Sequence, residues 1–262
     1  MQKHSFVIPA YQDSPYLEAC IQSLLNQSIA GEVILATSTP SAFHESMAQK
    51  YGLKYCIHEA KSSISGDWNF ALAQAAGPLV TIAHQDDIYH PAYTQHILAA
   101  FNKDEKALMA FTGYDDLVNG KVRPSSLNSR IKSILLWPFL FSKQVKSRFF
   151  KKATLAFGDP ISCPTVTLNM AAIAPGFQFS NAYSCALDWQ AWLELARQKG
   201  AFIYIRKKLV QHRIHTGSET TNQIQNGKRQ QEEYQLFEQL WGKPVAKCLS
   251  ALYKTAYKDN AV

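Results

Sequence analysis

At 262 residues, 47% of them apolar and 18% charged, the chain is long enough for one large domain with a real core and too apolar to be disordered. Five scattered cysteines, with no Cys-x-x-Cys and no Cys/His zinc spacing, fit free thiols in a reducing compartment. The opening residues carry no charged-then-apolar leader, and the longest apolar run, Ile134 to Phe141, is far too short to span a bilayer, so a cytoplasmic protein is expected.

The net charge of +7 is concentrated in one place. Between Asp116 and Asp159 no acidic residue occurs, yet Lys121, Arg123, Arg130, Lys132, Lys143, Lys146, Arg148, Lys151 and Lys152 do. The remainder of the chain is slightly negative, so the basicity is a local device.

In chain order, Ser5 to Ile8 reads as a strand ended by Pro9, and Ser14-Pro15 as the cap and first position of a helix whose face carries Leu17, Ile21 and Leu24. Glu32 to Ala36 is a second strand, and Ser41 opens a helix with Phe43, Met47 and Tyr51 on one side. A third strand, Lys54 to Ile57, precedes a helix expected over Asp67 to Ala76. The apolar run Leu79 to Ala83 is a buried strand, and a helix runs from Pro91 towards Phe101. Strands alternating with helices of about ten residues imply an α/β fold with a mainly parallel sheet.

Beyond the strand Ala107 to Tyr114 this regularity stops. The basic segment, about 117–158, mixes its cations with Ile134, Trp137, Phe141, Phe149 and Phe150, and Pro138 breaks any helix there. Cys163 to Leu168 returns to the sheet, and Asp188 to Gln198 is a helix stopped by Gly200. Ala201 to Arg206 is a strand, His212 to Thr221 a polar loop, and two amphipathic helices finish the chain. The expected division is a main domain over 1–221, with the basic aromatic insertion inside it, and a helical extension over 222–262 packed on it.

The stretch Ile82-Ala83-His84-Gln85-Asp86-Asp87 is the most telling. It puts two adjacent carboxylates just past a buried strand, where an α/β sheet opens its ligand crevice. Two such charges repel unless a cation sits between them and an anionic ligand, and a divalent metal holding a diphosphate meets that need. The alternative is a helix N-cap formed by Asp86 or Asp87.

With Phe6-Val7-Ile8-Pro9-Ala10-Tyr11, Ser23-Leu24-Leu25-Asn26-Gln27, Leu187-Asp188-Trp189 and His212-Arg213-Ile214-His215, the pair stands in an order that resembles family 2 glycosyltransferases of the GT-A fold over roughly residues 4 to 221. The resemblance implies a GT-A type, Rossmann-like, mainly parallel sheet flanked by helices, with C-terminal helices added. It also implies an inverting transfer of a sugar from a nucleotide-sugar donor to a hydroxyl of a glycan or lipid-linked acceptor, in cell-surface polysaccharide synthesis, with Mn2+ or Mg2+ as cofactor. Carried over residue by residue, Asp188 is the general base, Asp87 a metal ligand and Asp86 a ligand to ribose or metal. Pro9, Ala10, Tyr11 and Asp13 cradle the nucleotide base, with Thr37 and Ser38 replacing the aspartate common in relatives on the second strand. Asp67 and Asn69 approach the diphosphate, Trp68 standing where relatives often carry arginine. Arg213 meets phosphate oxygens, and His215 completes the metal shell. His84 stands where many relatives carry a further acid.

Two rival readings follow from the residues. A sugar-nucleotide nucleotidyltransferase would need a glycine-rich, basic phosphate loop after the first strand, and Pro9-Ala10-Tyr11-Gln12-Asp13 has neither glycine nor lysine. A degenerate, non-catalytic binding protein accommodates His84 and Trp68. Nucleic acid is not an expected partner, since no nucleic-acid module is recognisable. The basic segment suits peripheral association with an anionic membrane at its inner face.

Overall fold

The alternation of apolar residues along the first strands builds two cores on opposite faces of one sheet. In β1 (His4–Ala10) Val7 enters a core on one face, while Phe6, Ile8 and Ala10 enter the other. In β2 (Glu32–Thr37) Ile34 and Ala36 point one way and Val33 and Leu35 the other; in β4 (Leu79–Ile82) Val80 and Ile82 oppose Leu79. Strands buried on both faces need helices on both, as a parallel α/β sheet supplies. The structure, a computed structural model, describes residues 3–124, 127–215 and 227–256.

The helices α1 (Leu17–Leu25), α2 (Ala42–Tyr51) and α4 (Tyr93–Phe101) cover one face. The other face is covered by α3 (Ile64–Ala73), α8 (Leu187–Ala196) and the C-terminal α9 (Lys228–Trp241), whose Leu236 and Phe237 enter that core. The last helix, α10 (Lys243–Ala256), packs against α9 and adds Ala246. With β3 (Lys54–Ile57), the strands run β3-β2-β1-β4 in parallel. Next comes β9 (Val166–Asn169), antiparallel to both β4 and β6 (Met109–Val118), then β10 (Phe202–Ile214), parallel to β6. The two-residue β5 (Ile88–Tyr89) closes the edge beside β10. The expected α/β fold is what forms; β9 inside the sheet and short strands at its margin, β5 among them, pair antiparallel and make the sheet mixed.

Several boundaries differ from expectation for local reasons. Ser14 Oγ accepts the Tyr16 N–H at 3.3 Å and Ser14 O the Leu17 N–H at 3.2 Å, so Ser14-Pro15 makes a turn and α1 starts at Leu17. Ser63, whose Oγ accepts from Gly66 N–H, caps α3, which places Asp67 inside the first turn and not before it. The strand after Gly200 continues through Leu209 and Val210 to Ile214, absorbing two irregularities near Lys208, so His212 and Arg213 lie on β10 and not on a loop. The rest of that expected loop, 216–221, and the expected domain boundary at 221/222 lie outside the described residues. Gly200 stands at φ +123°, where a Cβ would meet Leu108 Cγ at 2.7 Å, so only glycine fits between α8 and β10.

The basic segment is built: a short β7 (Lys121–Val122), α5 (Leu127–Leu135), α6 (Pro138–Phe141), β8 (Gln144–Val145) and α7 (Arg148–Leu155). Pro138 separates α5 from α6 and occupies the first position of the latter, where its missing N–H costs nothing. Among the described residues no helix is long and apolar enough to cross a membrane.

Candidate active site

The C-terminal ends of β1, β2 and β4 open onto one cleft, joined there by the end of β10. Beyond β4 the chain does not enter a helix. It passes Asp86-Asp87 into β5, and α4 begins only at Tyr93, so neither aspartate is a helix cap.

Asp87 is fully buried. Its Oδ1 accepts the Arg213 backbone N–H at 2.9 Å and lies 3.1 Å from His212 Nδ1. Its Oδ2 has no hydrogen-bond partner, and neither has the buried Nε2 of His84, whose Nδ1 lies 4.0 Å from that Oδ2. A buried carboxylate oxygen left without a partner costs on the order of 1–3 kcal/mol or more, so Asp87 Oδ2 is an atom that a bound cation would satisfy. His84, Asp86 and Asp87 each offer a ligand atom within 4.8 Å of the others. The donor set of two carboxylates and an imidazole fits a divalent metal. His215, expected among the metal ligands, lies with Nε2 3.0 Å from Asp86 Oδ2 and outside that group of three.

The charges around the pair are balanced by histidines. Burial disfavours the charged ring of His212, but the Asp87 carboxylate outweighs it, with Asp86 and Asp116 adding to the effect, and pushes His212 up to about 9. Burial would raise Asp86; contact with His215 and the charges of His84 and His212 hold it below its ordinary value. Arg213 donates from Nε to the Asp86 carbonyl at 2.9 Å and stacks its guanidinium 4.4 Å over Tyr16. Its position is thereby set, and its two Nη groups have no partner among the described residues.

On the β1 side, Gln85 brackets Tyr11 with two backbone hydrogen bonds, at 3.1 and 3.0 Å, leaving the Tyr11 ring exposed at the cleft. Pro9 and Ala10 close β1 beneath it. Gln12 sits at φ 53°, its N–H held by Thr39 Oγ1 at 2.7 Å, and Asp13 accepts from Ser41 Oγ at 2.6 Å. The loops after β1 and β2 are thus tied together, with Thr37 buried below and its Oγ1 accepting the Thr39 N–H. Ser38 Oγ donates to Asp67 at 3.0 Å; Ser62 and His58 also reach that carboxylate, at 2.9 and 3.0 Å.

Asn69, expected near the diphosphate, ties α3 to the loop before α8. Its amide exchanges two hydrogen bonds with the backbone of Phe179, at 2.9 and 2.8 Å, and so fastens the 179 loop. Trp68 is buried against His84 and Phe179 and walls the group formed by His84, Asp86 and Asp87.

Asp188 lies in the first turn of α8, one residue inside its start, and its Oδ1 accepts the Trp189 N–H at 2.9 Å. Burial pushes its carboxyl above the ordinary value, offset in part by Arg229, Lys132 and His84, so the group stands within electrostatic reach of His84. Asp159 is raised well above its ordinary value by burial and by the Asp188 charge. The start of α8 is clamped from outside: Glu232 on α9 accepts the backbone N–H groups of Ser184, Cys185 and Ala186 and the Ser184 hydroxyl, all at 2.7 to 3.1 Å.

Residues 5–170 match the profile of glycosyl transferase family 2. The chain belongs to that family. Among curated proteins, the uncharacterized glycosyltransferase EpsJ of Bacillus subtilis is 30% identical over 99 residues, which cover 36% of this chain and 28% of EpsJ. Among solved structures, S. aureus TarS 1-349 aligns over 80% of this chain and 60% of its own, with TM-score 0.62 and 16% identity. The glucosyl-3-phosphoglycerate synthase of Mycobacterium tuberculosis, with Mn2+ and UDP-glucose bound, aligns over 90% of this chain and 78% of its own, with TM-score 0.58 and 16% identity. The chain therefore spans less than two thirds of EpsJ and of TarS 1-349, and the structural likenesses show the GT-A fold. For a family 2 chain, Gln85, Tyr16, His58 and Glu232 are site-supporting residues that the sequence alone did not single out. Gln85, between His84 and Asp86, had a signal in its position; Glu232, far along the chain, had none.

Proposed function

We propose that this chain is an inverting glycosyltransferase that moves a sugar from a nucleoside diphosphate donor to a hydroxyl of a glycan or lipid-linked acceptor, in the synthesis of cell-surface polysaccharide. The observation that carries this is the unpartnered, buried Asp87 Oδ2, with His84 Nδ1 4.0 Å away and Asp86 beside it, at a group of three potential ligands whose His84 also acts electrostatically on Asp188. A nucleotidyltransferase would add a glycine-rich, basic loop after β1, which Pro9-Ala10-Tyr11-Gln12-Asp13 is not, and an inert binding surface has no use for a buried carboxylate oxygen without a partner. S. aureus TarS has been crystallised with UDP and with UDP-GlcNAc, and the mycobacterial synthase with UDP-glucose, which supports a uridine donor here.

In this reading Tyr11 stacks on the base, the hydroxyls of Thr37 and Ser38 address its edge, and Asp86 takes the ribose or the metal. Asp87, Asp86 and His84 would hold the metal, with His215 supporting Asp86; an imidazole in the set favours Mn2+ over Mg2+. When bound, such an ion supplies Lewis-acid stabilisation of the charge that collects on the departing diphosphate. The Nη groups of Arg213 meet the same phosphate oxygens. Asp188 accepts the proton of the acceptor hydroxyl while that oxygen forms a bond to the anomeric carbon. The bond from that carbon to the diphosphate oxygen breaks, the electron pair leaves with the nucleotide, and the anomeric centre inverts. A carboxyl whose proton affinity is raised by burial is better matched to this task than an ordinary aspartate.

The test is a thermal-shift screen of UDP, GDP, CDP and dTDP sugars, followed by donor hydrolysis with Mn2+, Mg2+ and EDTA. A stabilising donor binds the folded state preferentially. One uridine donor that both stabilises and is turned over, with loss in EDTA, is expected; stabilisation by none of them contradicts the proposal.

A further inference from the structure

Helix α7 is inside out. Its buried face carries Lys151, Thr154 and Leu155, while Phe149 is 71% exposed and Phe150 points outward beside it. This is not a helix that failed to find the core. Lys151 is fully buried and donates to the carbonyls of Gln198 and Gly200, both at 2.8 Å, with its ammonium 5.0 Å over the Phe202 ring. The cation thus has a built socket, fixing the rotation of α7 and turning its phenylalanines out. They join a larger surface: Phe150 packs on Phe149 and on Trp137, ring centroids 5.4 and 5.8 Å apart. Along the neighbouring α5 and α6, Ile134, Leu140 and Phe141 are 69%, 68% and 85% exposed. Water alone does not favour such a grouping, and patches of this kind mark interaction surfaces.

The same surface is rimmed by cations. Lys143, Arg148 and Lys152 are exposed without an ion-pair partner among the described residues, and Lys146 meets Asp104 at 3.0 Å. No acid occurs between Asp116 and Asp159 to offset them. An apolar group of aromatic and aliphatic side chains ringed by unpaired cations matches one partner chemistry closely. The rings and chains enter the headgroup boundary of a bilayer, and the cations meet lipid phosphates.

We propose that the outer face of α5, α6 and α7 is a docking surface for an anionic lipid bilayer. Docking does not depend on the transfer reaction, but it deepens that reading. The inward side of α5 carries Lys132, which donates to Tyr114 Oη at 2.8 Å and whose charge acts on Asp188. One short helix therefore connects the docking face with the base, and an acceptor anchored in the bilayer would be presented on the side of the cleft where Asp188 lies.

The test is co-sedimentation of the full chain with vesicles of phosphatidylglycerol and phosphatidylethanolamine, or of phosphatidylcholine alone, at low and high salt. Two variants accompany it: Phe141→Ser with Phe149→Ser, and Lys143→Glu with Arg148→Glu and Lys152→Glu. All five side chains are exposed, so both variants should melt with the native protein. Binding to anionic vesicles that high salt weakens is expected. The charge-reversed variant should lose on the order of a hundredfold or more, since each cation at such a surface contributes roughly a factor of five. The serine variant should lose at least tenfold. No binding to anionic vesicles at low salt overturns the proposal, as does equal binding by either variant. A native dimer in solution that the serine variant dissolves, without vesicle binding, assigns the face to a second copy and also overturns it. Because vesicle binding is read without any sugar donor, its failure leaves the transfer reading untouched.

Discussion

Glu232 offers a sharp test of how the C-terminal helices bear on the site. Its carboxylate is buried and accepts three backbone N–H groups and one hydroxyl at the entrance to α8, the turn that carries Asp188. In Glu232→Gln one oxygen becomes an NH2 group. If Oε2 is replaced, the N–H groups of Cys185 and Ala186 face a donor; if Oε1, the Ser184 hydroxyl must turn. At least one hydrogen bond is lost and the others lose their charge assistance, which together costs about 2–4 kcal/mol. At roughly 2–4 °C per kcal/mol for a chain of this size, melting should fall by about 4–16 °C at pH 7. The pH dependence follows from the direction of the shift. Burial alone would raise the Glu232 pKa, but the hydrogen bonds lower it below its ordinary value of 4.5. The folded state therefore holds its proton less tightly than the unfolded chain. The stabilisation is fully present above that ordinary value and is lost as pH falls through the lowered one. Native protein and variant should thus converge in acid. With Asp188 less firmly placed, kcat should drop at least tenfold while the Kd for donor changes little. A variant that melts within a degree of the native protein, with unchanged kcat, would refute the clamp.

Asp87→Asn should keep the fold and reduce transfer on the order of a hundredfold or more, with Mn2+ affinity measured by calorimetry falling in parallel. Unchanged Mn2+ binding would count against Asp87 as a ligand. His84→Ala should weaken Mn2+ binding more than Mg2+ binding, because an imidazole is the donor removed; equal losses would argue for a role in packing against Trp68 alone. His4 is buried and pushed down to about 3, so the folded state refuses a proton that the unfolded chain accepts below about 6.5. Stability should therefore fall with pH between those values, by about 1.4 kcal/mol per unit and roughly 2 kcal/mol by pH 5. Urea midpoints for His4→Gln should show a shallower acid slope, and identical slopes would remove His4 from this role.

How much of this was readable from the residues depends on the range of the interaction. Strands β1, β2 and β4 declared themselves because apolar residues fill both faces of the sheet, and Asp86-Asp87 because a carboxylate pair after such a strand has few uses. The start of α3 was missed because Ser63 and Asp67 are both capping residues, and only the Ser63 Oγ contact to Gly66 N–H decides between them. His212 and Arg213 looked like a loop because their strand is polar at its end; its pairing with β6, ninety-odd residues earlier in the chain, keeps it extended. The tie between Asn69 and Phe179 was hidden for a similar reason, since the two are 110 residues apart. The inversion of α7 could not be foreseen at all: nothing local tells Lys151 to enter the core, because its acceptors are the carbonyls of Gln198 and Gly200.

The most direct test of the transfer mechanism is a paired measurement on Asp188→Asn: the Kd for the stabilising nucleotide sugar, and the single-turnover rate of transfer. A base acts in the transition state and not on the bound donor. Donor affinity should stay within about twofold of native while the rate falls on the order of a thousandfold or more. A variant that turns over at the native rate, or that loses donor binding and melts early, would contradict Asp188 as the base.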